Sequence, residues 1–218
     1  RGASHPEELA VQARHLGLAA LAVTDRNTLA GVVRAHGAAK DAELPFVVGA
    51  RLDLDRLSLL AWPTTRAAYG RLCRLLSLGQ RRAGKGQCLL TLDDVCDFAE
   101  GLVFALLPGS ADHLAEVQAR LKAPLYLAAS HLYRGDDRAR LNRLAELAQR
   151  HKVPLLATND VLYHHAARRV LQDVVTAIRE GVAVAAAGYR LEANAERHLK
   201  TPEEMARLFR DHPQAIAH

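Results

Sequence analysis

The sequence has 218 residues, 50% hydrophobic and 24% charged, enough for one large domain or two small ones with a real core. It has no apolar run of about 18 residues, as a membrane-spanning helix needs, and no signal peptide is visible at its start. Cys73, Cys88 and Cys96 fit no zinc spacing, so reduced thiols and a cytoplasmic location are expected. The chain opens on Arg1-Gly2-Ala3 without an initiator Met, which suggests a piece of a longer protein. Its net charge of +5 is uneven: from Asp55 to Asp93 no acidic residue intervenes, while Arg56, Arg66, Arg71, Arg74, Arg81, Arg82 and Lys85 fall in that window. Such a surface suits phosphate-rich partners, although a solvated helix face has the same composition.

In chain order, Ser4-His5-Pro6-Glu7 reads as a helix start, with Ser4 as cap, Pro6 in the first turn and Glu7 closing a capping box. His5 and His15 read as surface residues, and Gly17 as the stop. Leu21 to Thr24 is a short buried strand, followed by turn chemistry at Asp25 and Asn27. A helix is expected from about Leu29 to Ala42, with Asn27 or Thr28 as its cap. Strands follow at 45–52 and 57–61, possible partners in a hairpin. The helix over 65–78 has Tyr69, Leu72, Leu75 and Leu76 as its buried stripe, which leaves Arg66, Arg71 and Arg74 largely outside it.

Gly79 to Gly86 almost spells a phosphate-binding P-loop. It fails because Gly86 stands where a Ser or Thr should hold magnesium, and because it follows a helix instead of a strand. A mobile basic loop is the better description. Next come a short helix at 92–99, a strand at 102–107, a helix at 111–121, a strand at 124–128, a helix at 136–151 and a strand at 154–158. Alternation of buried strands with helices argues a parallel α/β sheet or barrel of about six strands. After Asp160 the rhythm changes to helices at 170–180 and 201–209 around an irregular stretch, the expected start of a second, mostly helical region. In such architectures ligands bind at the C-terminal ends of the strands, where Asp25 and Arg26 sit.

Three segments carry a family resemblance: Thr24-Asp25-Arg26-Asn27-Thr28-Leu29-Ala30-Gly31, Val48-Gly49-Ala50-Arg51 and Ala157-Thr158-Asn159-Asp160-Val161-Leu162-Tyr163. They resemble the PHP (polymerase and histidinol phosphatase) domain of bacterial C-family DNA polymerases. The loop Arg81 to Gly86 and the segment Arg190 to Lys200 are similar to the error-prone branch. The resemblance covers essentially the whole chain. It implies an α/β fold, a distorted seven-stranded β/α barrel whose first strand would lie before Arg1. Residues 1–165 would form the barrel, and 166–218 a helical linker into the polymerase domain. The implied parent is a DNA-directed DNA polymerase of damage-tolerant synthesis, with DNA, the rest of the polymerase chain and accessory subunits as partners and no membrane. Magnesium would serve the parent's polymerase domain, and no cofactor is expected in this part.

Active members of the family hold two or three metal ions with His, Asp and Glu. At the matching positions this sequence has Arg1 for an Asp, Arg26 for a His, Arg51 for a Glu and Leu162 for a His; Arg56 aligns with a further His. Asp25 and Asp160 remain. Arginine stays protonated and offers only donors, so it cannot ligate a cation. The site is therefore expected to be degenerate, with no catalytic and no metal-ligating residues. Arg26 or Arg51 is expected to supply a fixed positive charge to Asp25 and Asp160 in place of metal. His164-His165, His131 and His113 receive no role, since adjacent residues point apart. Nucleic-acid contacts are expected from Arg66, Arg71, Arg74, Arg81, Arg82 and Lys85. The competing expectations are a free-standing metal-dependent phosphoesterase of the same family and a partner-binding module without a DNA role.

Overall fold

The computed structural model describes residues 2–218; Arg1, one of the degenerate positions, lies outside the described residues. Six strands form one curled sheet in chain order. They are β1 (Leu21–Arg26), β2 (Phe46–Asp53), β3 (Ser58–Pro63), β4 (Leu102–Leu106), β5 (Leu125–Ser130) and β6 (Leu155–Thr158). β1 and β2 are parallel, as are β4, β5 and β6, whereas β3 runs antiparallel to both neighbours. For β2 and β3 the reason is loop length. Only residues 54–57 join β2 to β3, closed by Leu54 N–H donating to the Leu57 carbonyl at 2.9 Å. A parallel crossover needs a dozen residues or more.

Helices cover the convex side: α1 (Pro6–His15), α2 (Val32–Asp41), α3 (Arg66–Arg81), α4 (Leu92–Asp97), α5 (Leu114–Arg120) and α6 (Asp137–His151). Strand side chains alternate between the two faces. Outward residues such as Leu52, Leu59, Phe104, Leu106, Leu127 and Leu155 join Leu72, Leu75 and Leu144 in the main core. Leu21 and Val23 pack against Ala10, Ala13, Ala35 and Ala39, whose small size brings α1 and α2 close to the sheet. The concave face holds a smaller cluster, Ala105, Leu107 and Ala128 with Leu60, Trp62, Tyr126 and Leu156 against them. Gly49 makes room there, because a Cβ at that position would lie 2.7 Å from Trp62.

Several local expectations change. The cap of α1 is His5, whose N–H donates to Glu8 Oε2 at 2.9 Å, so Glu8 takes the place expected of Glu7. Ser4 instead accepts from the His164 N–H, and Glu7 pairs with Arg34. α2 begins three residues later than expected, because Asn27 takes a left-handed backbone and its side chain exchanges two hydrogen bonds with the Asp53 backbone. α3 starts at its Thr65 cap but runs on to Arg81, and Tyr69 is exposed, outside the buried stripe. The 111–121 helix is divided between a 3-10 turn at Pro108–His113 and α5.

Beyond β6 come α7 (Arg169–Glu180), α8 (Pro202–Leu208) and α9 (Gln214–Ala217). Leu208, Phe209 and Ala215 are buried in the main core, so the end of the chain packs on the sheet's helix layer. A β-bridge between Tyr163 and His198 helps to tie the 190–200 segment to the stretch after β6. Among the described residues no helix is long and apolar enough to cross a membrane.

Candidate functional site

The C-terminal ends of β1 and β2 come first. The register sets Arg26 opposite Arg51 and Asp25 opposite Ala50. Ala50 faces the helix layer, so Asp25 does too, while Arg26 turns to the concave side. Asp25 Oδ2 accepts from the Gly31 N–H at 2.8 Å, closing the turn into α2. A Cβ at position 31 would lie 2.6 Å from that oxygen, so a larger residue there would displace the Asp25 carboxylate.

Two arginines directly opposite on neighbouring strands repel unless a counter-ion is shared. Asp53 is that counter-ion. It is two residues after Arg51 on β2 and therefore on the same face. Arg51 Nε donates to Asp53 Oδ1 at 2.6 Å, and Arg26 reaches Oδ2 at 3.3 Å. Ser58 at the start of β3 donates to Asp53 Oδ1 at 2.7 Å. Burial alone would push this carboxyl up; the Ser58 hydroxyl, Arg51 and Arg26 outweigh it and hold Asp53 below the ordinary carboxylate range.

At the other end of the sheet, Asp160 follows β6. Its partner is Arg197, from the segment between α7 and α8. Arg197 Nη2 lies 2.5 Å from Asp160 Oδ2, and Nε donates to the Asp160 carbonyl at 2.8 Å. Nη1 donates to Glu192 at 2.6 Å. The Arg197 carbonyl accepts from the Leu162 N–H at 2.8 Å, and Asn159 donates to the Glu196 and His198 carbonyls. Arg197 is buried.

The expected pairing of Arg26 or Arg51 with Asp25 and Asp160 thus gives way to other partners. Arg51 engages Asp53 instead of Asp25 or Asp160, and Asp160 is held by Arg197. Asp53 was missed although its i+2 relation to Arg51 on a strand was a usable signal. Arg197 was missed because 37 residues separate it from Asp160 and no local pattern joins them. Arg56 is exposed in the β2–β3 turn, and Leu162 offers only backbone to these contacts.

Two clefts open at this mouth. One, of about 550 Å³, is lined by Arg51, Arg56, Ser58, Arg134, Arg140 and Asp160 among others. The other, of about 740 Å³, lies between the β1 end, with Asp25, Arg26 and Asp53, and the loop carrying Lys85. Gln80 donates to the Asn27 carbonyl at 3.1 Å and holds α3 against that turn. Gly79 is in contact range of the returning chain, since a Cβ there would lie 2.6 Å from Cys88.

A metal centre of the family's kind needs several convergent carboxylates and imidazoles with a free coordination position. Among the described residues no group of three or more His, Cys, Asp or Glu is so arranged. The acids at the mouth already accept from arginine, serine or backbone N–H, so the side chains present do not fit a multi-metal cage. His164 hydrogen-bonds Ser4, and His165 accepts from the Ala167 N–H. His113 lies near Glu116, and His131 packs edge-on to Tyr133.

The six basic candidates separate into two groups. Arg71 pairs with Glu100 at 2.5 Å, and Arg82 with the buried Asp94 at 2.6 Å. Asp94 also closes a capping box with Thr91 at the start of α4, so Arg82 is part of the scaffold. Arg66, Arg74 and Arg81 fall within an arc of roughly 80° on α3, opposite the buried Ala68, Leu72, Leu75 and Gly79. With Lys85 in the following loop, these four are exposed. Burial raises the thiols of Cys88 and Cys96, which makes them poor nucleophiles.

A family model described as "PHP domain" matches residues 1–183. Error-prone DNA polymerases from Bradyrhizobium sp. (strain ORS 278) and Caulobacter vibrioides are each 50% identical over 99% of this chain. Error-prone DNA polymerase 1 of Agrobacterium fabrum is 49% identical over all of it. The chain spans only 20–21% of those relatives' own length. A protein described as a metal-dependent phosphoesterase, from Bifidobacterium adolescentis, is similar in fold, with TM-score 0.55 and 16% identity over 73% of this chain and 82% of that one. An amidohydrolase from Chromobacterium violaceum is similar with TM-score 0.51 and 17% identity over 72% and 81%. At such identities these two likenesses concern the fold alone.

Proposed function

Because this chain belongs to the PHP-domain family, we propose that it is the non-catalytic PHP module of an error-prone, DNA-directed DNA polymerase. The observation that carries this reading is the arginine occupancy of the mouth, with Asp53 taken by Arg51 and Arg26 and Asp160 by Arg197. Fixed cations stand where the family's chemistry needs coordinated ones, so the module serves as scaffold and hydrolyses no phosphoester. Polymerisation, with its magnesium, belongs to the remaining four fifths of a relative-length chain. A cytoplasmic location accords with that role, and accessory subunits are further partners to test. The phosphoesterase alternative is disfavoured by the same donor set.

DNA is the partner assigned to the α3 face, through Arg66, Arg74, Arg81 and Lys85. Each phosphate contact contributes about −0.9 to the slope of log K against log salt on duplex and about −0.7 on single strands. Replacing all four residues with Gln in the full-length polymerase should flatten that slope by up to about 3.6 units on duplex and about 2.8 on single strands, with primer extension retained at low salt. An unchanged slope would remove the DNA assignment. Metal analysis of the same enzyme, purified with manganese and zinc present, tests the scaffold reading. Stoichiometric metal in the module, lost on Asp160→Asn, would overturn it.

A further inference from the structure

α7 buries two polar residues beside Ala177 and leaves most of its apolar ones outside. A surface helix ordinarily turns its apolar stripe to the core and its polar face to water. Here Gln172 is 3% exposed and Thr176 5%, and they hydrogen-bond each other at 3.2 Å. The Gln172 Oε1 atom is buried with no partner, an arrangement that costs stability. Arg169 and Asp173 pair at 2.8 Å on the same inward side. On the opposite side, within an arc of roughly 100°, Val170 is 72% and Ile178 74% exposed, with Leu171 and Val174 between them. Val184 and Tyr189, in the 3-10 turns that follow, extend the exposed apolar character.

We infer that this outward stripe of α7 is an internal docking surface, covered by a part of the same polypeptide beyond residue 218. The inference rests on the proposed reading of the chain as the PHP module of a longer polymerase. Its relatives are about five times as long, so four fifths of such a protein is available to cover the stripe. The stripe also sits where the family model stops, at residue 183, which places it at the boundary with whatever follows the barrel. A tethered segment acts at an effective concentration of about millimolar, which favours it over a second copy arriving by diffusion. Contiguous exposed apolar patches of this kind mark interaction sites on soluble proteins.

The test uses the full-length polymerase with a benzophenone amino acid in place of Ile178, and a second version with it at Val33, an exposed valine on α2. Irradiation should give intrachain crosslinks from position 178 to residues beyond 218, at several times the yield from position 33. Crosslinks that double the chain's mass would assign the stripe to a second copy and overturn the inference. A yield equal to that at position 33 would overturn it as well. Failure of the underlying reading has a separate signature. The natural protein would then have about the 23.8 kDa mass of this chain instead of a fivefold larger one, and the inference would fall for want of an occupant.

Discussion

The two ends of the barrel mouth answer one electrostatic problem in different ways. At β1 and β2 the acid and its cations come from neighbouring strand positions, with Asp53 between Arg51 and Arg26. At β6 the acid comes from the barrel and the cation from a segment 37 residues later, with Arg197 on Asp160. The first solution is local and tied to sheet register. The second binds the 190–200 segment to the barrel, so a charge pair also fixes tertiary position. Loss of the second should therefore cost more.

Arg197→Ala should show the largest effect. Breaking a buried pair by removing one partner costs about 3–5 kcal/mol; Arg197 is buried but Asp160 is 43% exposed, so about 2–3 kcal/mol is expected in urea denaturation at pH 7. The 190–200 segment should also become protease-sensitive. Arg197→Lys should recover less than half of the loss, because one ammonium cannot reach both the Asp160 oxygens and Glu192 as the planar fork does. A loss below about 1 kcal/mol would reduce this pair to a surface contact.

Asp53→Asn should come next, at about 1–3 kcal/mol, since Arg26 and Arg51 would then face each other across the strands with no carboxylate between them. The pH dependence sharpens the point. The Asp53 carboxyl is held below its ordinary value by Ser58, Arg51 and Arg26 against the effect of burial. Its stabilisation is complete above the unfolded value of about 4 and is lost as pH falls through the depressed folded value. The Asn variant should therefore lose stability less steeply below about pH 4. Asp94 and Asp137 are depressed in the same direction, so part of the acid slope will remain. An identical slope in wild type and variant would contradict the Asp53 assignment.

The smallest effect is expected away from the mouth. Glu100 is largely exposed where it meets Arg71, and Glu100→Gln should change stability by less than about 0.5 kcal/mol. That value, beside the Arg197 result, would separate solvated ion pairs from those that hold the fold.

Much of the fold was legible because periodicity and turn chemistry are local. The strand positions, the β2–β3 hairpin, the Thr65 start of α3 and the Gly17 stop all rest on residues a few positions apart. Two of the misreadings arose where a side chain found a distant partner. Ser4 left its expected cap for His164, and Asn27 left its own for the Asp53 backbone. The basic window was visible as composition, but composition does not say that Arg71 and Arg82 are already paired while Arg66, Arg74, Arg81 and Lys85 stand exposed.

The sequence by itself determined the α/β class, the arginines at the ends of the first two strands, and the excess of positive charge before Asp93. These follow from residue type, spacing and local geometry. Only the tertiary structure decided which acid each arginine meets and which face of α7 is turned to solvent. A salt bridge forms within about 4 Å, and whether Arg197 comes that close to Asp160 depends on how the intervening chain closes on itself. Burial likewise is a property of the neighbours, which is why a helix with a clear apolar stripe can still present that stripe to water.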